Sequence, residues 1–302
     1  MAGKGDSTRA ILIALGANLA IFVAKSVAAL LTRSSAMMAE AIHSLADCGN
    51  QVLLLWGLKT ARREASEDYP LGYGKAIYFW SFLVALLLFT VGGMFSMYEG
   101  WHKLSQPEEI KYPWLALAVL AFAIGAEGFS MVGCMKEVNK ARGSDSLWRW
   151  FRDSRQSELI VIFGEDLAAL LGLVFAFCAV LLTFFTKNPV YDAVGSIAIG
   201  ALLIVVAVFI AIEIKALLIG QSAEPYVKKE LYDFLDARPE IKRVLNLKTL
   251  QLGNDIMVAI KAEMSRDLST RGLVEEINRV EADLRKQFPD VRWCFFEPDV
   301  AD

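Results

Sequence analysis

Six stretches of this chain, near 10–32, 36–59, 76–100, 113–136, 158–185 and 190–219, are too long and too apolar for a water-soluble domain. A helix that crosses the hydrocarbon core needs about 20 mostly apolar residues, with a range of roughly 17–25. Each stretch meets that length, so the sequence predicts an α-helical, multi-pass integral membrane protein with six transmembrane helices, solvated by a lipid bilayer. The composition agrees: 55% of the 302 residues are hydrophobic, against about 45–50% in soluble domains. The first run is too long for a cleavable signal peptide and has no small-residue cleavage pattern before the second.

Basic residues set the expected orientation. Lys4 and Arg9 lie at the N-terminus, Lys59, Arg62, Arg63 and Lys75 follow the second span, and Lys140, Arg142, Arg149, Arg152 and Arg155 follow the fourth. The opposite face keeps little beyond Arg33, Lys103, Lys111 and Lys187. Both termini are therefore expected in the cytoplasm or its topological equivalent. A bacterial inner membrane is the expected location, with an organellar membrane as the alternative. The segment 146–151 mixes Trp148 and Trp150 with Arg149, which predicts a short helix in the headgroup region. A net charge of −3 gives no bulk basic character for nucleic acid. Cys48, Cys134, Cys178 and Cys294 form no Cys-x-x-Cys pair, which argues against a disulfide framework or a zinc finger.

After residue 220 the pattern becomes that of a small soluble unit, dividing the chain into 1–220 and 221–302. Val227, Leu231, Phe234 and Leu235 fit one helix face. Ile256, Val258, Ile260, Ala262 and Met264 alternate as a strand, and Leu250 and Leu252 point to a partner strand across a Gly253-Asn254 turn. Leu273, Ile277, Val280, Leu284 and Phe288 repeat at helical spacing between a Ser269 cap and Pro289. Residues 291–296 read as a third strand. The expected order is α-β-β-α-β, a ferredoxin-like α+β domain on the cytoplasmic side.

Charged side chains in the bilayer core cost roughly 2.5–3.5 kcal/mol each on insertion scales, so they persist where they are paired, solvated or functional. The second span holds Glu40, His43 and Asp47. His43 and Asp47 are four apart, on one helix face, where an imidazole nitrogen and a carboxylate can reach the same ion. The bland alternative is a satisfied interhelical hydrogen bond. The fifth span places Glu165 and Asp166 side by side in an apolar run. Two such acids need a cation, a proton or water between them, or form a protonated structural pair. Lys25 and Glu127 are open to pairing with each other or with water. Glu40, Glu127, Asn50 and Lys25 are candidates for supporting the site or relaying protons. Met37, Met38, Met94 and Met97 read as packing residues rather than soft ligands. The donor set of His43, Asp47, Asp166 and Glu165 suits zinc and also admits cobalt, iron(II), manganese or cadmium.

The run Ala39-Glu40-Ala41-Ile42-His43-Ser44-Leu45-Ala46-Asp47 resembles the second helix of the cation diffusion facilitators. Gly72-Tyr73-Gly74-Lys75-Ala76, Asp166 with Gly172, Asp192 opening the sixth span, and the α-β-β-α-β tail carry the resemblance across nearly the whole chain. It implies export of zinc or a similar ion from the cytoplasm, driven by protons, by a homodimer with no bound cofactor. The chain departs from the family at Ile162, where a histidine usually stands four before Asp166, and at Tyr73, where Gly-His-Gly-Lys is usual. Glu165 and Ala126-Glu127-Gly128 resemble the branch that includes the mitochondrial zinc transporter of animals. The tail has no histidine.

The leading expectation is a proton-coupled metal transporter working by alternating access. Imidazole and carboxylates must shed protons to hold a metal, which couples the two flows. Two other readings stand beside it: a metal-binding accessory protein that modulates another transporter, and an intramembrane metalloenzyme. The last would need a metal-bound water, a base and a cleft, and no His-Glu-x-x-His motif is present. The chain is expected not to be an enzyme.

Overall fold

The computed structural model describes residues 6–106, 109–265 and 269–301, with the side chains of 6–14 and of residue 17 left aside. Lys4 therefore lies outside the described residues, and so does the side chain of Arg9. The chain forms two compact units. One comprises the chain up to Trp56 with Trp80–Asp145 and Glu158–Ile214, the other Gly57–Phe79, Ser146–Ser157 and the chain from Lys215 onward.

Long helices dominate: α1 (Asp6–Thr32), α2 (Ser35–Ala61), α3 (Ala76–Ser105), α4 (Pro113–Arg142), then the short α5 (Leu147–Asp153), α6 (Ser157–Thr186) and α7 (Val190–Ile219). Of these, α3, α4, α6 and α7 are long and apolar enough to cross a membrane by length and composition. In α1 the apolar stretch found among residues with described side chains is the shorter Asn18–Thr32. The apolar character of α2 is interrupted by Glu40, His43, Asp47, Asn50 and Gln51. The protein is thus mostly helical, with apolar candidate spans followed by a small sheet domain.

Within the first unit, α3 departs from regular geometry. Residues Leu88–Met94 form a π-helical turn, and the Phe95 N–H reaches back five residues to the Thr90 carbonyl. This wide turn holds Gly92 and Gly93. A Cβ on Gly93 would come within 2.5 Å of Ile204 Cγ1, so only glycine lets α3 and α7 approach this closely. Close backbone approach at small residues is how helices associate where no hydrophobic drive is available. Ser196 Oγ adds a hydrogen bond to the Ser96 carbonyl at 2.8 Å. Asp192, fully buried at the start of α7, caps α2. It accepts from Ser34 Oγ (2.5 Å), Ser35 N–H (2.7 Å), Ser35 Oγ (2.9 Å) and Ala36 N–H (3.4 Å), and Lys103 Nζ lies 3.6 Å away. Those N–H groups are the orphan donors of the helix start, and a carboxylate there also meets the positive end of the helix dipole.

The second unit contains α8 (Pro225–Asp236), β1 (Ile241–Leu252), β2 (Asp255–Met264), α9 (Thr270–Gln287) and β3 (Val291–Pro298). The sheet order is β1-β2-β3; β1 pairs antiparallel with β2, and β2 parallel with β3. The alternating residues Ile256, Val258, Ile260 and Ala262 point into a core shared with Leu231, Leu235, Val280 and Leu284. Ser269 caps α9 by accepting from the Gly272 N–H at 3.3 Å. β1 begins at Ile241, well before the Leu250–Leu252 stretch the alternation suggests. Its register slips between Ile241 and Arg243 and again between Val244 and Asn246, and an irregularity of this kind breaks the two-residue period. The Gly253-Asn254 turn forms, with Gly253 at φ +70°. Tyr78 Oη accepts from the Gly253 N–H at 2.9 Å, and a Cβ on Gly74 would collide with the Leu252 carbonyl. The short helix foreseen around 146–151 is α5, capped by Ser146. Arg155, one of the basic residues used for orientation, is buried. Its guanidinium donates to the carbonyls of Ser222 (2.7 Å) and Asp153 (2.6 Å).

Candidate functional site

The polar residues of α2 lie on one stripe. At 100° per residue, Glu40, His43, Asp47 and Asn50 fall within about 80° of arc and extend about 15 Å along the axis. Ser44 sits at one edge of this stripe and Asn50 at the other. The neighbouring helices divide accordingly, with α1 reaching the Ser44 edge and α6 the Asn50 edge.

On the α1 side, Lys25 Nζ donates to Ser44 Oγ at 2.8 Å and to Glu40 Oε2 at 3.2 Å. Lys25 is 1% exposed and Glu40 0%. Lys25 thus pairs with Glu40 of the next helix and not with Glu127. The other Glu40 oxygen, Oε1, accepts no hydrogen bond and lies 2.7 Å from where a Cβ on Gly172 would stand. Gly172 of α6 leaves that oxygen its space.

On the α6 side, Asn50 Nδ2 donates to Glu165 Oε1 at 2.5 Å. Both are buried. Asp166 accepts a longer hydrogen bond, 3.4 Å, from Ser130 of α4. Ile162 is 39% exposed while Glu165 is 8% exposed. The rotation of α6 therefore turns Glu165, and not position 162, toward the α2 stripe. Ser130 was invisible to sequence reasoning, because a serine in an apolar helix carries no signal until its neighbour is known.

His43 stands between the two edges and is fully buried. Neither of its ring nitrogens has a hydrogen-bond partner, and Asp47 Oδ1 is unpartnered as well. His43 Nδ1 and Asp47 Oδ1 are 3.6 Å apart, beyond a good hydrogen bond. The π-turn of α3 backs the imidazole: a Cβ on Gly92 would lie 4.0 Å from His43 Nδ1. Such turns are frequent at functional sites. A buried polar group without a partner costs about 1–3 kcal/mol, and an imidazole nitrogen and a carboxylate oxygen are donor types that suit a divalent cation.

Asp47 and Asp166 lie within electrostatic reach of each other and of both Glu127 and Glu165. Glu127 is buried in α4. Among the described residues, no three His, Cys, Asp or Glu side chains stand close enough to hold one ion together. The chemistry present is thus an imidazole and a carboxylate oxygen without hydrogen-bond partners, one turn from an asparagine that holds a second carboxylate.

Ionisable groups held inside packed apolar helices, with a small α+β tail, define an integral, multi-pass membrane protein of the kind that handles cations. The sequence model of the cation efflux transmembrane domain matches residues 11–219. Over 280 residues the chain is 31% identical to the mitochondrial proton-coupled zinc antiporter SLC30A9 of Xenopus laevis, covering 91% of this chain and 49% of that one. It is 30% identical to metal tolerance protein C4 of Arabidopsis thaliana over 256 residues, 82% of this chain and 54% of that one. Against the manganese efflux system protein MneP of Bacillus subtilis (strain 168) identity is 20% over 291 residues, 94% and 93% of the two chains. The chain belongs to the cation efflux family, in the branch that resembles the mitochondrial zinc antiporter, a family of transporters and not of enzymes. It spans about half the length of the mitochondrial and plant relatives.

Proposed function

We propose that this protein moves a divalent transition-metal cation, zinc first among them, across a membrane in exchange for protons. The observation that carries this reading is the buried His43, whose two ring nitrogens and the neighbouring Asp47 Oδ1 have no hydrogen-bond partner, one turn from the Asn50 that holds Glu165. In the proposed cycle His43, Asp47, Asp166 and Glu165 hold the ion. Asn50 orients Glu165, and Glu127 adds negative charge from α4. The acids release protons as the metal arrives and take them up as it leaves, because a ligating imidazole or carboxylate must be deprotonated. α2 and α6 shift by small amounts to bring the ligands together and to expose them to each side in turn.

The architecture that goes with this function is six spans over residues 1–220, with 221–302 and both termini in the cytoplasm. α5 lies in the headgroup layer, and two copies associate through their tails. The relatives that support the reading are named for zinc–proton antiport in one case and for manganese efflux in another. A carboxylate replacing the usual imidazole makes the site harder and more anionic, which suits manganese and iron(II) better than a two-histidine site would.

Reconstituting the purified protein in liposomes under a set pH gradient tests this directly. Uptake of zinc, cobalt, iron(II), manganese and cadmium is measured ion by ion. Uptake of at least one, accelerated by an opposing proton gradient, is expected. No uptake of any ion would remove the transport reading and favour the accessory protein.

A further inference from the structure

The ion pair of Lys25 and Glu40 is not explained by metal ligation alone. A lysine that is 1% exposed inside apolar helices is expensive, and replacing a buried ion pair by apolar residues is often neutral or stabilising. Its position is specific. The ammonium reaches from α1 to Ser44, the residue next to His43, and to Glu40, one helical turn before His43. Glu40 gives only one oxygen to this contact. The other faces Gly172 without a partner, so the carboxylate is not saturated by its lysine.

We propose that Lys25 is a tethered counter-cation that sets how tightly the transport site holds its metal. The inference rests on the function proposed above and assigns a positioning role, since Lys25 has no lone pair to offer a metal while it is charged. In the metal-free protein the ammonium neutralises Glu40 and prevents a fifth uncompensated acid from joining the cluster. When a divalent ion sits at His43 and Asp47, the same ammonium, about one turn away, repels it. That repulsion offsets the pull of Glu40, which without its lysine would add a further negative charge and hold the ion more tightly. Glu40 acts in the opposite sense, and the pair together leaves the site's net charge unchanged.

The consequence is a sign rule for affinity: a pair that acted only by holding the helices together would weaken binding, or leave it unchanged, whichever member is lost. Lys25→Met removes a positive charge and should tighten metal binding, by about tenfold or more for a unit charge within about 10 Å of a divalent ion at an effective dielectric of about 20. It should also slow turnover, because release is hindered. Glu40→Gln removes a negative charge and should weaken binding by a similar factor. The double variant Lys25→Met/Glu40→Gln restores the net charge and should bind within about threefold of the wild type.

The test is a zinc titration of full-length protein in lipid nanodiscs at fixed pH and salt, with proteoliposome flux alongside and a thermal melt to verify folding. Opposite shifts for the two single variants, cancelling in the double, establish the rule. Weakened or unchanged binding in Lys25→Met overturns it. Should Lys25→Met fail to fold, unchanged binding in Glu40→Gln overturns it equally. A wild type that binds no divalent ion would defeat the proposed function itself, which is a separate result.

Discussion

Glu165→Gln tests the proposal that this carboxylate serves as a ligand in α6. The amide is nearly isosteric, and its oxygen can still accept the hydrogen bond that Asn50 Nδ2 makes to Glu165 Oε1 at 2.5 Å. The fold should therefore survive, and the change reduces to one negative charge. At about 5 Å from a divalent ion and an effective dielectric of about 20, that charge is worth up to about 6–7 kcal/mol before desolvation. Stripping water from both partners takes back most of it. A tenfold loss of affinity, about 1.4 kcal/mol, is therefore a floor for a carboxylate that touches the ion. Isothermal titration of zinc into the detergent-solubilised variant, with a melt to show unchanged folding, measures it. Affinity within twofold of the wild type would refute the assignment and leave His43, Asp47 and Asp166 with water as the set.

Asp192→Ala should lower the melting midpoint by several degrees. It leaves the donors at the start of α2 unpaired and Lys103 with the Arg33 carbonyl but without its nearby carboxylate, and losing one member of a buried pair costs about 3–5 kcal/mol; a melt matching the wild type would contradict this. Removing the chain after residue 222 should weaken self-association in analytical ultracentrifugation, and an unchanged dimer fraction would show that the tail does not hold the copies together. Burial, with Glu281 adding to it, pushes the Cys294 thiol up to about 12. The thiol is therefore neutral throughout pH 7–9, where the thiolate is the reactive and metal-binding form. A variant retaining only this cysteine should react with a maleimide far more slowly than a free thiol across that range, and the isolated tail should not bind zinc at nanomolar affinity.

What the sequence made legible follows from where local patterns decide structure. β2 alternates because one face packs on α8 and α9, so Ile256, Val258, Ile260 and Ala262 announce it. α9 and its Ser269 cap are equally local. The His43–Asp47 spacing can be read from helix geometry, since both lie on one element. Partnerships between helices are different. Nothing in the order of residues tells Lys25 to choose Glu40 over Glu127, or Ser130 to meet Asp166. The rotation that buries Glu165 and leaves Ile162 at the surface is set by how α6 packs, through contacts such as Gly164 against Ile210 and Gly172 against Glu40. The π-turn at Gly92 and Gly93 has no signature in the sequence, because two glycines in an apolar run do not fix the hydrogen-bond pattern of the helix that holds them. The slipped register of β1 hid most of that strand for the same kind of reason: periodicity fails where the ladder does.

The central claim is that the His43–Asp47 pair carries a metal across the membrane against protons. Proteoliposomes loaded with a zinc indicator and a pH dye, prepared in parallel from the wild type, His43→Ala and Asp47→Ala, measure both flows at once. The account predicts zinc uptake with matching proton counterflow in the wild type. Both variants should lose uptake by at least a hundredfold, about 2.7 kcal/mol, with melts close to the wild type. Zinc uptake at the wild-type rate in either variant, or wild-type uptake with no movement of protons, would contradict it.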